Sequence, residues 1–402
     1  MKLGTVATGR DFFDRRTECA DLWRYLENDH VVASGPRRLG KSSIVNRLRE
    51  EALQKGILAA HVDVQGKDSA QAFVDEVSAH FPDDSVKGYL ATVGEQAKSW
   101  LSTVKKIEFK GPGGIGGGVE LQAAAGQSWH PSAMALQTRL LNAPVLIFVD
   151  EFSVFLQKLL ERDLKEAEAF LGWLRAWRVT PGIACRFLFT GSVGLNSLLE
   201  KYGLSAQFND CFEYRIGPFT QKAACEMLIS FAAMDGWAVE PITASNICQK
   251  VGWLSPYYLC LLLDQTLTVA RDRIEESPQT LKDVHERALI ITDVIDAYER
   301  ILSSRSRFVH WEWRLTRDLA GVNLKFALAV LAALAKNTGG LTTRQLSARL
   351  AKLESDPDQR ADHLQNLLLK LEEEGYISPP DETGKTVFLS FLLRDYWSRN
   401  HG

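Results

Sequence analysis

The stretch Gly35-Pro36-Arg37-Arg38-Leu39-Gly40-Lys41-Ser42 spaces two glycines, a lysine and a hydroxyl so that one polyphosphate could meet them all. Glycine adopts curled backbone dihedrals without steric cost, so Gly35 and Gly40 let successive N–H groups point at a β-phosphate. Lys41 is then placed to neutralise β- and γ-oxygens, and the Ser42 hydroxyl to ligate Mg²⁺. A second set of groups ends the run Val-Leu-Ile-Phe-Val-Asp150-Glu151. An acid at the end of a buried strand is costly unless a cation meets it. Asp150 is the expected magnesium ligand through the water shell of the ion, and Glu151 the group that orients and polarises an attacking water. A third set, Thr190 and Ser192 in FLFTGS, could hydrogen-bond a γ-phosphate and so sense ATP against ADP. Ser192 also suits the N-cap of the helix that follows, where a hydroxyl satisfies open backbone N–H groups. Hydrolysis at such a site needs positioning and charge stabilisation rather than covalent chemistry.

The elements that must hold these groups follow from hydrophobic periodicity. HVVAS (30–34), ILAAHVDV (57–64), APVLIFVDEF (143–152) and CRFLFTGSV (185–193) are short apolar runs, and a helical pattern follows each of them. Strands apolar on both faces, alternating with helices, predict a parallel sheet covered on both sides. Helices are expected at 16–27, with Cys19, Leu22, Trp23 and Leu26 on one face, and at 70–81. A third is expected from Lys41 to Leu53, with Ile44, Leu48 and Leu53 inward. The phosphate-binding stretch therefore lies where its chemistry requires, after a strand and opening a helix.

Between 105 and 124, Ile107/Phe109 and Val119/Leu121 alternate around a tip of glycine and proline, the pattern of a β-hairpin insertion. A second anion-binding loop there lacks a lysine or serine in the right place. From Thr220 to Arg305 no strand signal remains and helices dominate. The tail changes again, with a helix at 324–336, a second helical stretch, a long helix ending LLLKLEEEG and a hairpin in YISPPDETGKTVFLSF. Three helices and a hairpin make a winged helix. The expected division is an ATPase core over 1–218, a helical lid over 219–310 and a winged-helix domain over 311–402. HWEWRL (310–315) places Trp311 and Trp313 at the lid–tail junction, either as core or as a protein contact.

Composition narrows the class. The chain has 402 residues, 46% of them hydrophobic and 24% charged, which suits two or three globular domains. A formal charge of −3 offers no bulk attraction to nucleic acid or anionic lipid. The opening residues lack a signal-type apolar segment, and FALAVLAALA (326–335) is about half the length of a membrane span. A cytoplasmic protein without membrane attachment is expected. Six cysteines form no CxxC pair and the histidines no metal-binding spacing, so reduced thiols and no protein-only metal cage are expected.

Together these motifs resemble the AAA+/STAND class of P-loop ATPases, and more closely its archaeal-type ATPase family, which bacteria also carry. The resemblance spans nearly the whole chain. FFDRRTE (12–18) is similar to the family segment that borders the adenine, with Arg15 and Glu18 matching, Asp14 in place of glycine and Arg16 in place of a glutamate. GPRRLGKSS is very close to the family's P-loop, and TGS after the fourth strand is typical of it. GWLSPYYL (252–259) resembles the lid motif, whose proline, here Pro256, packs near the nucleotide base; the same residues also read as a plain helix start with proline in its first turn. FLSFLLRDYW resembles the end of the family's winged helix. The resemblance implies a nucleotide site formed by Gly35, Pro36, Arg37, Arg38, Leu39, Gly40, Lys41, Ser42 and Ser43 with Arg15 and Pro256. Lys41 and Glu151 are its catalytic groups, Ser42 and Asp150 its magnesium ligands, and Thr190 and Ser192 its sensors. ATP or ADP and Mg²⁺ are the implied cofactors.

One departure matters. Relatives often carry an arginine finger between the fourth and fifth strands, but LLEKYGLSAQFNDC (198–211) offers only Lys201; Arg186, Arg215, Arg37 and Arg38 are the remaining candidates. A slowly hydrolysing switch, with self-association in the ATP state compatible, fits this better than a fast ring-assembled hydrolase. In one reading, ATP against ADP moves the lid and winged helix and controls a partner protein. In the other, an initiator- or transposition-like ATPase grips duplex DNA. A bare metabolic ATPase or kinase is the remaining class. A DNA-reading helix should carry a basic stripe. Glu354 to Glu374 holds seven acids against Arg360 and Lys370, and 319–402 balances ten basic residues with ten acidic ones. DNA is thus the less favoured partner, although Lys105, Lys106 and Lys110 could form a small basic finger. No effector segment before Phe12 or repeat array after Trp397 is read from the sequence, so an effector or regulator protein acting in trans is expected.

Overall fold

The computed structural model describes residues 6–92, 128–191, 194–276, 287–304, 308–319 and 322–401. The hairpin expected over 105–124 and the residue Ser192 lie outside these segments. The chain forms two compact units, one built from Arg15–Gly35 and Lys41–Ile216, the other from Met1–Asp14, Pro36–Gly40 and Gly217–Gly402.

The first unit is a five-stranded parallel sheet with helices. Its strands are β1 (His30–Ser34), β2 (Leu58–Asp63), β3 (Val145–Asp150), β4 (Arg186–Thr190) and β5 (Cys211–Arg215), in the order β2-β3-β4-β1-β5. β3 and β4 are buried at every residue and β1 at its first four, which is why these segments read as unbroken apolar runs. β5, on the edge, is half-buried or exposed throughout; its CFEYR lacks the apolar signature and escaped the sequence reading. The helices are α1 (Arg16–Leu26), α2 (Lys41–Gln54), α3 (Ala70–His80), α4 (Asp83–Thr92), α5 (His130–Leu140), α6 (Phe152–Arg162), α7 (Leu164–Arg178) and α8 (Leu195–Lys201). Cys19, Leu22, Trp23 and Leu26 of α1 are all buried. In α2 the inward row is Ile44, Leu48 and Ala52, a strict i, i+4 stripe. Leu53, expected inward, is 51% exposed because a step of five residues rotates it off that stripe. Phe152 and Phe155 of α6, Phe170 and Trp173 of α7, and Phe73 of α3 interlock by edge and tilted ring contacts in the core beneath β3 and β4.

His30, the first residue of β1, is buried and makes two bonds that fix its tautomer. The Phe187 N–H donates to Nδ1 at 3.1 Å, so Nε2 carries the proton and donates to the Arg178 carbonyl at 3.0 Å. Burial, followed by the nearby positive charges of Arg186 and Arg178, pushes its pKa down to about 3. An unfolded histidine titrates near 6.5 and so takes up a proton that the folded one refuses. Folding stability is therefore intact above about pH 6.5 and falls as the pH drops toward 3, by at most about 1.4 kcal/mol per unit. Urea denaturation at pH 7 and pH 5 is expected to show this slope in the wild type and a shallower one in His30→Asn; equal slopes would assign the acid sensitivity elsewhere.

The second unit is mostly helical. α9 (Gln221–Met234) starts at Thr220, whose hydroxyl accepts the Ala223 N–H, and α10 (Pro241–Val251), α11 (Pro256–Glu276) and α12 (Ile291–Ser303) follow. The expectation of no strand in this region needs amending: β6 (Ala238–Val239) and β7 (Ala288–Leu289) pair in parallel as a two-residue ribbon. It is too short to leave a periodic signal. α13 (Val309–Asp318) divides the two junction tryptophans, burying Trp311 and leaving Trp313 56% exposed. Next come α14 (Val322–Lys336), α15 (Thr343–Leu350) and α16 (Pro357–Glu373). β8 (Leu341–Thr342) pairs antiparallel with β9 (Lys385–Thr386), and Ile377 bridges Phe388, which completes the three helices and wing of a winged helix. A closing helix, α17 (Phe391–His401), buries Leu392, Leu393, Tyr396 and Trp397. Its contact with the end of α10 is close: at Gly252, φ +74°, an added Cβ would meet the Phe391 ring at 2.7 Å. Among the described residues no helix is long and apolar enough to cross a membrane.

Candidate nucleotide-binding site

The strand order brings the three sequence motifs of the first unit to one edge. β4 lies between β1 and β3, with Ala33 opposite Thr190 and Val149 opposite Phe189. The end of β1, where the glycine loop begins, Thr190 and Asp150 therefore share the carboxyl edge of the sheet, where parallel α/β folds bind ligands.

The loop has the conformation its glycines predict. Gly35 has φ +146° and Gly40 φ +85°; an added Cβ at Gly40 would meet nothing within 4 Å, so backbone geometry rather than space calls for glycine there. Arg38 also takes positive φ, +70°, an uncommon conformation for a residue with a side chain. α2 opens at Lys41, so the positive end of its dipole faces the loop. Lys41 is buried, and its Nζ donates to the Gly35 carbonyl at 2.6 Å, closing the loop on itself. Ser43 is buried behind it, and Leu39 is 1% exposed as the loop's apolar anchor.

Asp150 is the electrostatic centre of the edge. Its carboxylate accepts hydrogen bonds from the Thr190 hydroxyl, from His61 Nε2 at 3.1 Å, from the Ser42 hydroxyl and from the Glu151 N–H at 3.1 Å. Burial alone would raise its pKa; the bonds from His61, Thr190 and Ser42 outweigh that and bring it down to about 2. The carboxylate is thus ionised at any physiological pH, as a magnesium ligand must be. Ser42 and Asp150 already meet, so a cation carried by phosphates could take both, with waters completing its shell. These residues fit a magnesium–nucleotide.

Glu151 caps α6 in the left-handed region, φ +57° and ψ +32°. For a non-glycine residue this costs about 1 kcal/mol or more, a strain typical of functional positions. The glycine of TGS has a packing reason: a Cβ on Gly191 would lie 2.1 Å from Ser153 Oγ, in the first turn of α6. Thr190 is held by Asp150, so in this structure its hydroxyl orients the acidic group. Arg186 sits at the opposite end of β4 and donates to the Ile183 and Cys185 carbonyls, away from the site. Arg215, at the end of β5, is exposed and in register with Ser34 at the carboxyl edge.

In the second unit, residues 36–40 of the loop meet the start of α11. Ser255 Oγ donates to the Arg38 carbonyl at 2.7 Å, and the Arg38 guanidinium lies 4.1 Å from the Tyr257 ring centroid. Pro256, the residue singled out by sequence, starts α11 between these two and is half-buried. Arg37 forms a buried ion pair with Glu374 at 2.7 Å. In FFDRRTE, Asp14 and Arg15 both take positive φ, +53° and +66°. Asp14 thus adopts a conformation that suits the glycine of the resembling segment. Arg15 is buried and paired with Glu18 in the first turn of α1. His61, Glu374, Ser255 and Tyr257 were not found by sequence reasoning, because no local spacing marks them.

No protein-family model matches the sequence, and comparison with curated proteins returns no match. Solved structures do match. The Walker-type ATPase PABY2304 of Pyrococcus abyssi aligns over 98% of this chain and 99% of its own, with a TM-score of 0.61 at 15% identity. The ORC2 protein of Aeropyrum pernix, in its ADPNP–ADP complexes, aligns over 96% of this chain and 92% of its own, with a TM-score of 0.52 at 14% identity. The chain therefore has the fold of these P-loop ATPases.

Proposed function

We propose that the chain is a slow ATPase that works as a switch, with its nucleotide state controlling a partner protein through the helices of 219–310 and the winged helix of 311–402. The convergence of Lys41, Ser42, Asp150 and Thr190 on one sheet edge carries the ATPase part. Ser42 and Asp150 would hold Mg²⁺, whose charge would offset the charge that develops on the phosphates. Lys41 would offset the remaining β- and γ-charge, and Gly35 and Gly40 would aim the loop's N–H groups at the same oxygens. Glu151, next to the buried Asp150, would accept a hydrogen bond from the attacking water and take its proton. The names of the two similar structures, a Walker-type ATPase and an ADPNP–ADP complex, agree with this chemistry.

The switch part is supported by the lid contacts on Arg38 and by charge. Asp358 and Asp362 are exposed along α16 and Asp356 at its N-cap, where a DNA-reading helix would need cations. The second reading, a DNA-associated ATPase, is favoured only by the winged-helix arrangement itself. The discriminating experiment loads Glu151→Gln with ATP and titrates labelled duplex DNA over a salt series. No binding at low salt is expected. Binding that weakens steeply with salt would overturn the protein-directed reading in favour of DNA.

A further inference from the structure

The nucleotide reading leaves one feature of the second unit unexplained: an arginine of the phosphate-binding loop is neutralised by a carboxylate 337 positions away in sequence. Arg37 and Glu374 are about as buried as each other, with side chains 10% and 8% exposed. Glu374 is the C-cap of α16, and the next residue, Gly375 at φ +82°, turns the chain toward the wing. The turn rests on the loop itself, since a Cβ on Gly375 would come within 3.2 Å of Pro36 Cβ. Burying two charges is costly, and the pair persists only while each satisfies the other.

We infer that Glu374 is a positioning residue for the phosphate-binding loop, holding Arg37 in a pairing that a bound triphosphate competes for. The inference rests on the nucleotide reading of Lys41 and Ser42. A guanidinium fork fits phosphate as well as carboxylate, and Arg37 stands two residues after the glycine whose carbonyl holds Lys41. One guanidinium cannot serve both acids fully, so a γ-phosphate and Glu374 are negatively linked. Linkage is reciprocal: what weakens the pair strengthens triphosphate binding, and triphosphate binding loosens the end of α16. The winged helix is thereby told which nucleotide is present without touching the γ-phosphate.

The test uses the full chain with Mg²⁺ and measures the affinities of ATP, of ADP and of a non-hydrolysable ATP analogue by displacement of a fluorescent ADP. Glu374→Gln is expected to tighten the triphosphates about tenfold relative to ADP, and Glu374→Asp to fall nearer the wild type. Because the glutamine variant leaves a buried arginine without its anion and could unfold, hydrogen exchange of wild-type residues 371–376 is measured alongside. Exchange there should rise with the triphosphate analogue and not with ADP. Wild-type binding of ATP with an unchanged ATP/ADP ratio in Glu374→Gln, or with identical exchange in both nucleotides, overturns the inference while leaving the ATPase reading intact. A wild type that binds no nucleotide overturns both.

Discussion

Replacing Lys41 by alanine should abolish ATP binding, lowering affinity by at least about a hundredfold, in a protein that keeps its fold. The ammonium is the charge that the loop turns toward its own backbone, while Arg37 and Arg38 are engaged by Glu374 and Tyr257. It sits at the first residue of α2, is buried, and is held by the Gly35 carbonyl at 2.6 Å. A hydrogen bond to a charged group is worth roughly 1.5–3 kcal/mol, and each 1.4 kcal/mol is tenfold in affinity, so two lost phosphate contacts account for the expected change. Stability should not fall with it, because alanine at this position removes a buried charge and keeps a strong helix former. Isothermal titration with Mg–ATP, beside circular dichroism of the same sample, checks both halves. Retained micromolar binding in a folded Lys41→Ala protein would sink the phosphate-loop assignment.

Replacing Glu151 by glutamine should have the complementary effect. ATP affinity should stay within about threefold of the wild type, while turnover falls by 10²–10⁴-fold, the usual loss for a general base. The two acids at the end of β3 are separated by environment. Asp150 is buried and fixed by bonds from three side chains, which suits a permanent anion beside a cation. Glu151 stands in a strained left-handed conformation, half-buried, at the cap of α6. Glutamine keeps that shape and loses only the ability to take a proton, so binding and catalysis separate. Single-turnover phosphate release with pre-bound ATP reads the difference. Unchanged release would move the base to another group, and His61, 3.1 Å from Asp150, would be the next to examine.

Much of the site was legible because its rules are short-range. Gly35 and Gly40 follow from the dihedrals of a curled loop, and both have positive φ. β1, β3 and β4 announce themselves as unbroken apolar runs because both of their faces are covered. Asp150 stands out because an acid at the end of such a run needs a partner. Even Asp14, the apparent misfit in a segment that resembles a glycine-bearing one, occupies a glycine-like φ of +53°. Leu53 shows the limit of periodicity: one residue past the i, i+4 row, it is exposed, and the smaller Ala52 is buried in its stead.

Residue type and spacing thus determined the curled glycine loop, the acidic pair at the end of β3, the alternation of strand and helix, and the helical second half with its wing. The tertiary structure alone decided that β5 closes the sheet beside β1, that His61 meets Asp150, and that Glu374 meets Arg37. The physical reason is the range of the interaction. Dihedral preference and burial act within a few residues and leave a period or a motif behind. A hydrogen bond across 89 or 337 positions depends on strand order, register and the docking of helices, and leaves no mark on the residues adjacent in sequence.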